Sequence, residues 1–422
     1  MQDFDFSPQL LAMAQRAEDK ARCRFDEVDR VAFACTARVL GAFSRHRVSD
    51  ACFAGTTGYG YDDVGRDKLE LIYADVFGCE KALVRQGFVN GTHAIACAMF
   101  SALRTGDTLL SVTGDVYDTL RTVTGERGAL GGTFRDYGIG YRQVPLLSGA
   151  PNLPAIAEAA KAPDVKAVFI QRSRGYGDRK SLTSEEVGEI CALVRRVNPG
   201  AAVIVDNCYG EFCQETEPTH HGADLICGSL IKNPGGGLAP TGGYVAGRAD
   251  LVDRAAYRLT VPGIGGECGA SLGVNRALYQ GFFLAPHTVA QALKTAIFCA
   301  ALLEELGCEM SPRWDEARCD IIQTIRFGAP EPLLAFCRGI QAGAPVDAFA
   351  TPEPWDMPGY DCPVVMAAGA FVQGSSIELS CDAPMREPYI AYLQGGLTYE
   401  AGKLGIMMAA RQLQKAKNET RK

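Results

Sequence analysis

The chain is short of the residues that usually announce a metal or a membrane. It has five histidines and two tryptophans in 422 residues. Its sixteen cysteines contain no C-x-x-C pair. His220 and His221 are adjacent in a polar turn with no cysteine at ligand spacing, so no zinc site is expected. No uninterrupted apolar run approaches the roughly 18 residues a membrane helix needs. The opening residues MQDFDFSPQLL lack both the basic start and the apolar core of a signal peptide, so a cytoplasmic protein with no membrane partner is expected. Basic residues are scattered among acids, with a formal charge of -7, and only a short charged stretch from Lys415 to Lys422 breaks the mixture. No nucleic-acid partner is implied.

What is present is ordinary for a soluble α/β enzyme of more than one domain: 47% hydrophobic residues, 22% charged and 47 glycines. The cysteines fall largely inside apolar runs, such as Cys97 in AIACAMF and Cys299 in AIFCAAL, and read as buried free thiols. Residues 8 to about 45 show helical spacing at Val28, Val31, Ala32, Cys35 and Val39, and predict two helices. LELIYADVF predicts another. Short apolar runs (ALVR, DTLLSV, KAVFIQ, AAVIVDN, ADLIC, GGYVAG) then alternate with helical stretches, the pattern of a largely parallel sheet covered by helices. GIGGECGAS opens a long helical region to about Leu306. Beyond it, IQTIRF, VVMAAGAF and SSIELS predict strands of a smaller α+β domain that ends in a helix after Tyr399, with PEPWDMPGYDCP as an irregular loop. The expected division is an N-terminal helical segment over 1–57, a large α/β domain over 58–285 and a C-terminal domain over 286–422.

Chemistry concentrates in two of these runs. VIVDNCYGEF ends an apolar run in Asp206, placing a carboxylate at the carboxyl edge of a sheet, where ligands of open α/β folds collect. GSLIKNPGGG places Lys232 after a second run and just ahead of three glycines. Pyridoxal phosphate needs such a pair: an amine to bond its aldehyde, and an anion to keep its pyridine nitrogen protonated so that the ring can absorb carbanion charge. VNGTHAI sets Gly91 and Thr92 at the start of a helical run, where N–H groups can cradle a phosphate, and Ser229 is a second phosphate donor. Tyr117 stands past a strand end, where its ring can stack on the cofactor or fill core. His93 is placed either to reach the site or to satisfy local bonds.

VDNCY, GADL and the downstream lysine resemble the fold type I, pyridoxal-phosphate-dependent cystathionine/methionine lyase group. NGTHA, GYGYDD, GGECGAS and REPYIAYLQGGLTYE resemble its divergent aluminium-resistance or methionine gamma-lyase-like family, over roughly Gly58 to Gly405. The resemblance implies that Lys232 carries the cofactor, Asp206 faces the pyridine nitrogen, Tyr117 stacks, and Gly91, Thr92 and Ser229 form the phosphate cup. It further implies that Tyr59 or Tyr61 reaches the phosphate of a neighbouring subunit, so a homodimer or homotetramer is expected, with Arg66 a looser match. The substrate implied is a sulfur amino acid, losing a thiol after a lysine of lowered basicity takes the α-proton. Other outcomes on the same cofactor are transamination, racemisation or aldol cleavage, and a different class is a metal-resistance protein with a vestigial site. One departure concerns the substrate carboxylate: the group carries arginine in a strand resembling IRLS, whereas this chain has IELS, with Glu378. Arg386, Arg172 and Arg174 are the alternatives.

Overall fold

The computed structural model describes residues 4–128, 131–177, 179–357 and 362–420; residues 358–361 of the proline-rich loop and the end of the charged tail lie outside them. The chain divides into two compact units, Cys35–Phe283 and Met1–Ala34 with Leu284–Lys422. The first 34 residues thus group with the C-terminal segment instead of standing in a separate N-terminal piece.

Within Cys35–Phe283, seven strands form one sheet: β1 (Lys81–Arg85), β2 (Thr108–Ser111), β3 (Gly140–Gln143), β4 (Val165–Gln171), β5 (Ala202–Asp206), β6 (Leu225–Ser229) and β7 (Gly243–Gly247). Their order is β1-β7-β6-β5-β4-β2-β3; β7 runs antiparallel to both neighbours and every other pair is parallel. Every residue of β5 and β6 is buried, as a strand covered on both faces requires. Helix α2 (Val64–Val76) precedes β1, helices α3 (Gly91–Ala102), α4 (Asp118–Thr124), α5 (Leu153–Ala160) and α6 (Ser184–Val197) connect strands, and α7 (Ala249–Leu259) follows β7. Helix α6 starts where the sequence LTSEE demands, on a reciprocal cap between Thr183 and Glu186. Strand β3 carries no apolar run and half-exposed residues, which is why the sequence does not reveal it.

Three expectations are corrected. Residues 8–45 form one helix, α1 (Pro8–Arg45), not two. Leu10, Ala14, Ala17, Ala21 and Phe25 mark one buried stripe and Cys35, Val39 and Ala42 another, so a single helix carries two apolar faces in succession. GIGGECGAS is not helical beyond a short turn at Gly265–Glu267; helix α8 begins later and spans Asn275–Glu305. SSIELS is not a strand, since the strand begins only at its last serine. Glu378 is buried and its carboxylate accepts from the main-chain N–H groups of Phe371 (2.8 Å) and Val372 (2.9 Å), so it closes a loop.

The other unit holds an antiparallel sheet of β8 (Glu309–Ser311), β9 (Gln323–Arg326), β10 (Val364–Ala367), β11 (Ser380–Pro384) and β12 (Ile390–Gln394), in the order β10-β11-β12-β9-β8. Helices α9 (Pro330–Ala342) and α10 (Tyr399–Thr420) pack together beside it. All sixteen cysteines are free thiols and most are buried. Among the described residues no helix is long and apolar enough to cross a membrane.

The contact between α9 and α10 depends on Gly339. A β-carbon there would stand 2.3 Å from Ala409 Cα and 3.0 Å from the Met408 oxygen, backbone atoms that cannot swing aside. Gly339→Ala is therefore expected to cost about 1–3 kcal/mol of unfolding free energy. Gly87→Ala, where a β-carbon meets nothing within 4 Å, stays within about 0.5 kcal/mol. Denaturant titration of the two variants checks the contrast; equal midpoints would contradict it.

Candidate functional site

Strand β5 delivers Asp206 to the carboxyl edge of the sheet, and the parallel β6 beside it ends at Ser229, three residues before Lys232. The glycines after the lysine have separate reasons. A β-carbon at Gly235 would stand 1.8 Å from the Leu230 oxygen, and Gly236 and Gly237 take φ of 55° and 80°. The turn therefore folds tightly back beneath Lys232.

Helix α3 points its N-terminus at the same edge. Its cap is Asn90, whose side chain accepts from the His93 N–H, leaving the first helical residues, Gly91 and Thr92, at the cavity. Gly91 packs closely, since a β-carbon there would stand 3.1 Å from Ser229 Cβ and 3.7 Å from Cys208 Sγ. Thr92 Oγ1 lies 2.8 Å from Thr119 Oγ1. Tyr117 occupies the cap position of α4, its ring 5.9 Å from that of Tyr176. Gly91, Thr92, Tyr117, Asp206, Ser229 and Lys232 line one cavity of about 190 Å³.

Asp206 is buried and its Oδ1 accepts from the Cys208 N–H at 3.1 Å. Burial pushes its carboxyl up, while Lys232 and the bond from Cys208 pull the other way, as does the charge of Arg179. Lys232 is partly exposed as a residue, but its amine has buried surroundings. Burial works against the ammonium; Cys208, Tyr209 and Asp206 outweigh it and hold the amine above the usual lysine range. The direction is opposite to the lowered lysine basicity expected from the sequence, because these neighbours favour the ammonium more than burial disfavours it. Lys232 Nζ also rests 3.9 Å from the centre of the Tyr209 ring. Tyr209 takes φ of 74°, a left-handed conformation unusual for an aromatic residue, and turns its face to the amine. Neither Tyr209 nor Cys208 is singled out from the sequence, although both stand in the same VDNCY motif as Asp206.

Several expected residues lie elsewhere. Arg172 is fully enclosed: it donates to Asn207 Oδ1 (2.7 Å), Glu217 Oε2 (3.2 Å), Ser184 Oγ (3.1 Å) and Gln214 Oε1 (2.7 Å). Such a spent fork has no donor left for a substrate carboxylate, so that expectation is corrected. Arg174 is also buried, donates Nε–H to the Arg179 oxygen at 2.7 Å and does not line the cavity, so it is not placed at the site as expected. Arg179, which the sequence does not single out, donates to the oxygens of Gln171 and Ser173 at 2.6 Å each, tying down the end of β4. Arg386 is an exposed residue of the turn between β11 and β12 in the other unit.

His93 is satisfied locally. Its Nδ1 accepts from the Val89 N–H at 3.2 Å, its ring lies edge-on to Phe88, and burial, with the Arg258 charge, pushes its pKa down. Tyr59 and Tyr61 are 75% and 58% exposed and do not line the cavity of their own chain. Arg66 is buried and donates to the oxygens of Gly60 (2.6 Å) and Gly269 (2.9 Å), clamping two loops together.

The donor set fits pyridoxal phosphate: helix N–H groups and hydroxyls for a phosphate, a carboxylate for a pyridinium, an aromatic face, and a lysine. Comparison with known proteins agrees with this chemistry. The methionine gamma-lyase family model matches residues 10–414. The chain is 53% identical over 374 residues to YnbB of Bacillus subtilis, an uncharacterized protein, covering 88% of this chain and 89% of that one. It superposes with a TM-score of 0.93 on a carbon–sulfur lyase involved in aluminum resistance from Clostridium novyi NT, at 49% identity and 96% coverage of each chain. At 19% identity, the pyridoxal-5'-phosphate dependent protein YhfS of Escherichia coli shares the fold, with a TM-score of 0.61 over 94% of this chain and 97% of that one. The chain thus belongs to the methionine gamma-lyase family and has the fold type I architecture found in pyridoxal-phosphate-dependent proteins.

Proposed function

We propose that this chain binds pyridoxal phosphate and eliminates a thiol from a sulfur amino acid such as cystathionine, cysteine or methionine. The observation that carries this reading is the meeting of the Lys232 amine and the Asp206 carboxylate in one cavity beneath the N-terminus of α3. Lys232 would hold the cofactor covalently, Asp206 would keep the pyridine nitrogen protonated, and Gly91, Thr92 and Ser229 would hold the phosphate. When bound, the group supplies an electron sink for the charge left on the α-carbon.

The chain's own groups do the rest. With the cofactor bound elsewhere than on its amine, Lys232 would take the α-proton at Nζ. Tyr209 keeps the amine against an aromatic face, so its excursions are short. Asp206 balances the charge at Lys232 while the amine is protonated. Tyr117 offers both a ring face and a phenol that can hand a proton to the departing sulfur. With water completing the balance, the products are an oxoacid, ammonia and a thiol.

The exposed Tyr59 and Tyr61 support a homodimer or homotetramer as the working unit, each subunit completing its neighbour's site. Sedimentation is expected to show a dimer or larger species, and a strictly monomeric active enzyme would contradict this. Lys232→Ala should take up no covalent cofactor under borohydride reduction and should lose at least about a thousandfold in thiol release. Asp206→Asn should still fold but lose about a hundredfold. Assaying wild type with the three amino acids for both thiol and oxoacid tests the reaction class: oxoacid without thiol from every one would sink the lyase reading in favour of transamination.

A further inference from the structure

Behind Lys232 lies a carboxyl that the elimination chemistry leaves unused. Glu211 is fully buried. Its Oε1 accepts from the Tyr244 hydroxyl at 2.8 Å, and its Oε2 has no hydrogen-bond partner. Its main-chain oxygen accepts from Asn233 Nδ2 at 3.0 Å, so the segment is tied to the residue that follows Lys232. Around it are aromatic walls: Tyr73 stacks on Phe282 at 3.8 Å, and Phe77 lies 5.5 Å from Tyr244 and 5.8 Å from Phe212. Gly228 of β6 makes the room, since a β-carbon there would stand 2.8 Å from Glu211 Oε1 and 2.8 Å from the Tyr244 ring.

The titratable groups facing this carboxyl come from every side: Tyr73 of α2, Tyr244 of β7, Cys227 of β6, Cys208 and Glu217 of the chain between β5 and β6, and Lys232. Of these, Lys232 alone is cationic, and Glu217 is already engaged by Arg172, Asn207 and the Phe212 N–H. A carboxylate with an unpartnered oxygen in an aromatic box is costly, whereas a neutral acid there costs far less. Burial accordingly pushes the Glu211 carboxyl up to about 8, although the Tyr244 hydroxyl and Lys232 favour its ionised form.

We propose that Glu211 is a positioning residue that rests as a neutral acid, and that its proton limits the negative charge facing Lys232 to that of Asp206. Ionisation of Glu211 releases its proton to solvent and adds a second charge that holds Lys232 as an ammonium. The link to Lys232 rests on the reading of that amine as the one that bonds the cofactor; the protonation state of Glu211 does not.

Glu211→Gln keeps the shape and the bond from Tyr244 and carries no charge at any pH. Because the folded acid holds its proton more tightly than the unfolded one, wild type loses stability as pH rises from the ordinary glutamate range to about 8, and the loss levels off above that. The midpoint of unfolding of unloaded E211Q should therefore exceed that of wild type by a margin that widens from about pH 5 to about pH 8. Identical pH dependences would show Glu211 ionised in the fold and overturn the proposal. In a second arm, the rate at which each protein takes up added pyridoxal phosphate is followed by absorbance. E211Q should keep accelerating with pH, while wild type falls behind by about threefold or more near pH 9. Parallel rates would overturn the link to Lys232, and absence of uptake by either protein would overturn that link together with the cofactor reading, leaving the stability result to stand. Should E211Q fail to fold, Tyr244→Phe removes a hydrogen bond that favours the carboxylate and should move the wild-type stability transition to higher pH; an unmoved transition would overturn the proposal.

Discussion

Parallel pairing of β5 with β6 is the constraint on which the site depends. Asp206 sits opposite Cys227 in that register, and the Asn207 N–H donates to the Cys227 oxygen at 3.0 Å, extending the ladder past the carboxylate. Since both strands run the same way and are buried along their length, the chain can set an acid and an amine side by side only where the strands end. Each charge would be expensive there alone. Together they offset one another, and a slip of one residue in β5 would turn Asp206 toward the opposite face of the sheet.

That edge is held by a polar floor. Arg172 and Glu217, both fully buried, meet across Asn207, and Glu217 also accepts from the Phe212 N–H at 2.9 Å. Arg179 ties the end of β4 to the next loop through main-chain oxygens. From the sequence Arg172 and Arg174 look like ligands for a substrate carboxylate, since they follow a strand that ends at the site. Their partners, however, lie 12 to 45 residues further on or on the main chain, neither of which local spacing reveals. The same floor supports the turn that brings Tyr209 against Lys232 and Glu211 behind it.

The rest of the fold divides between what local chemistry states and what packing decides. The buried strands of the large sheet are short runs of valine, isoleucine and leucine and are plain in the sequence, whereas β3 is an edge strand with no apolar run and is not. Helix α1 misleads because its apolar stripe changes face midway, which looks like a break although no glycine or internal proline interrupts it before Gly41. Ser375 to Leu379 look like a strand by composition, yet Glu378 spends its carboxylate on two main-chain N–H groups and the segment folds as a loop.

By itself the sequence determined that an acid, a lysine, a glycine-led helix start and a serine belong to one kind of site, because each stands at the end of a run whose backbone conformation its own residues dictate. The tertiary structure alone decided which charges are spent and which remain available. Arg172 is consumed, Glu211 is shut among aromatic rings, and Tyr209 is turned onto the amine, since burial, partnership and desolvation depend on residues that are distant along the chain and adjacent only once it has folded.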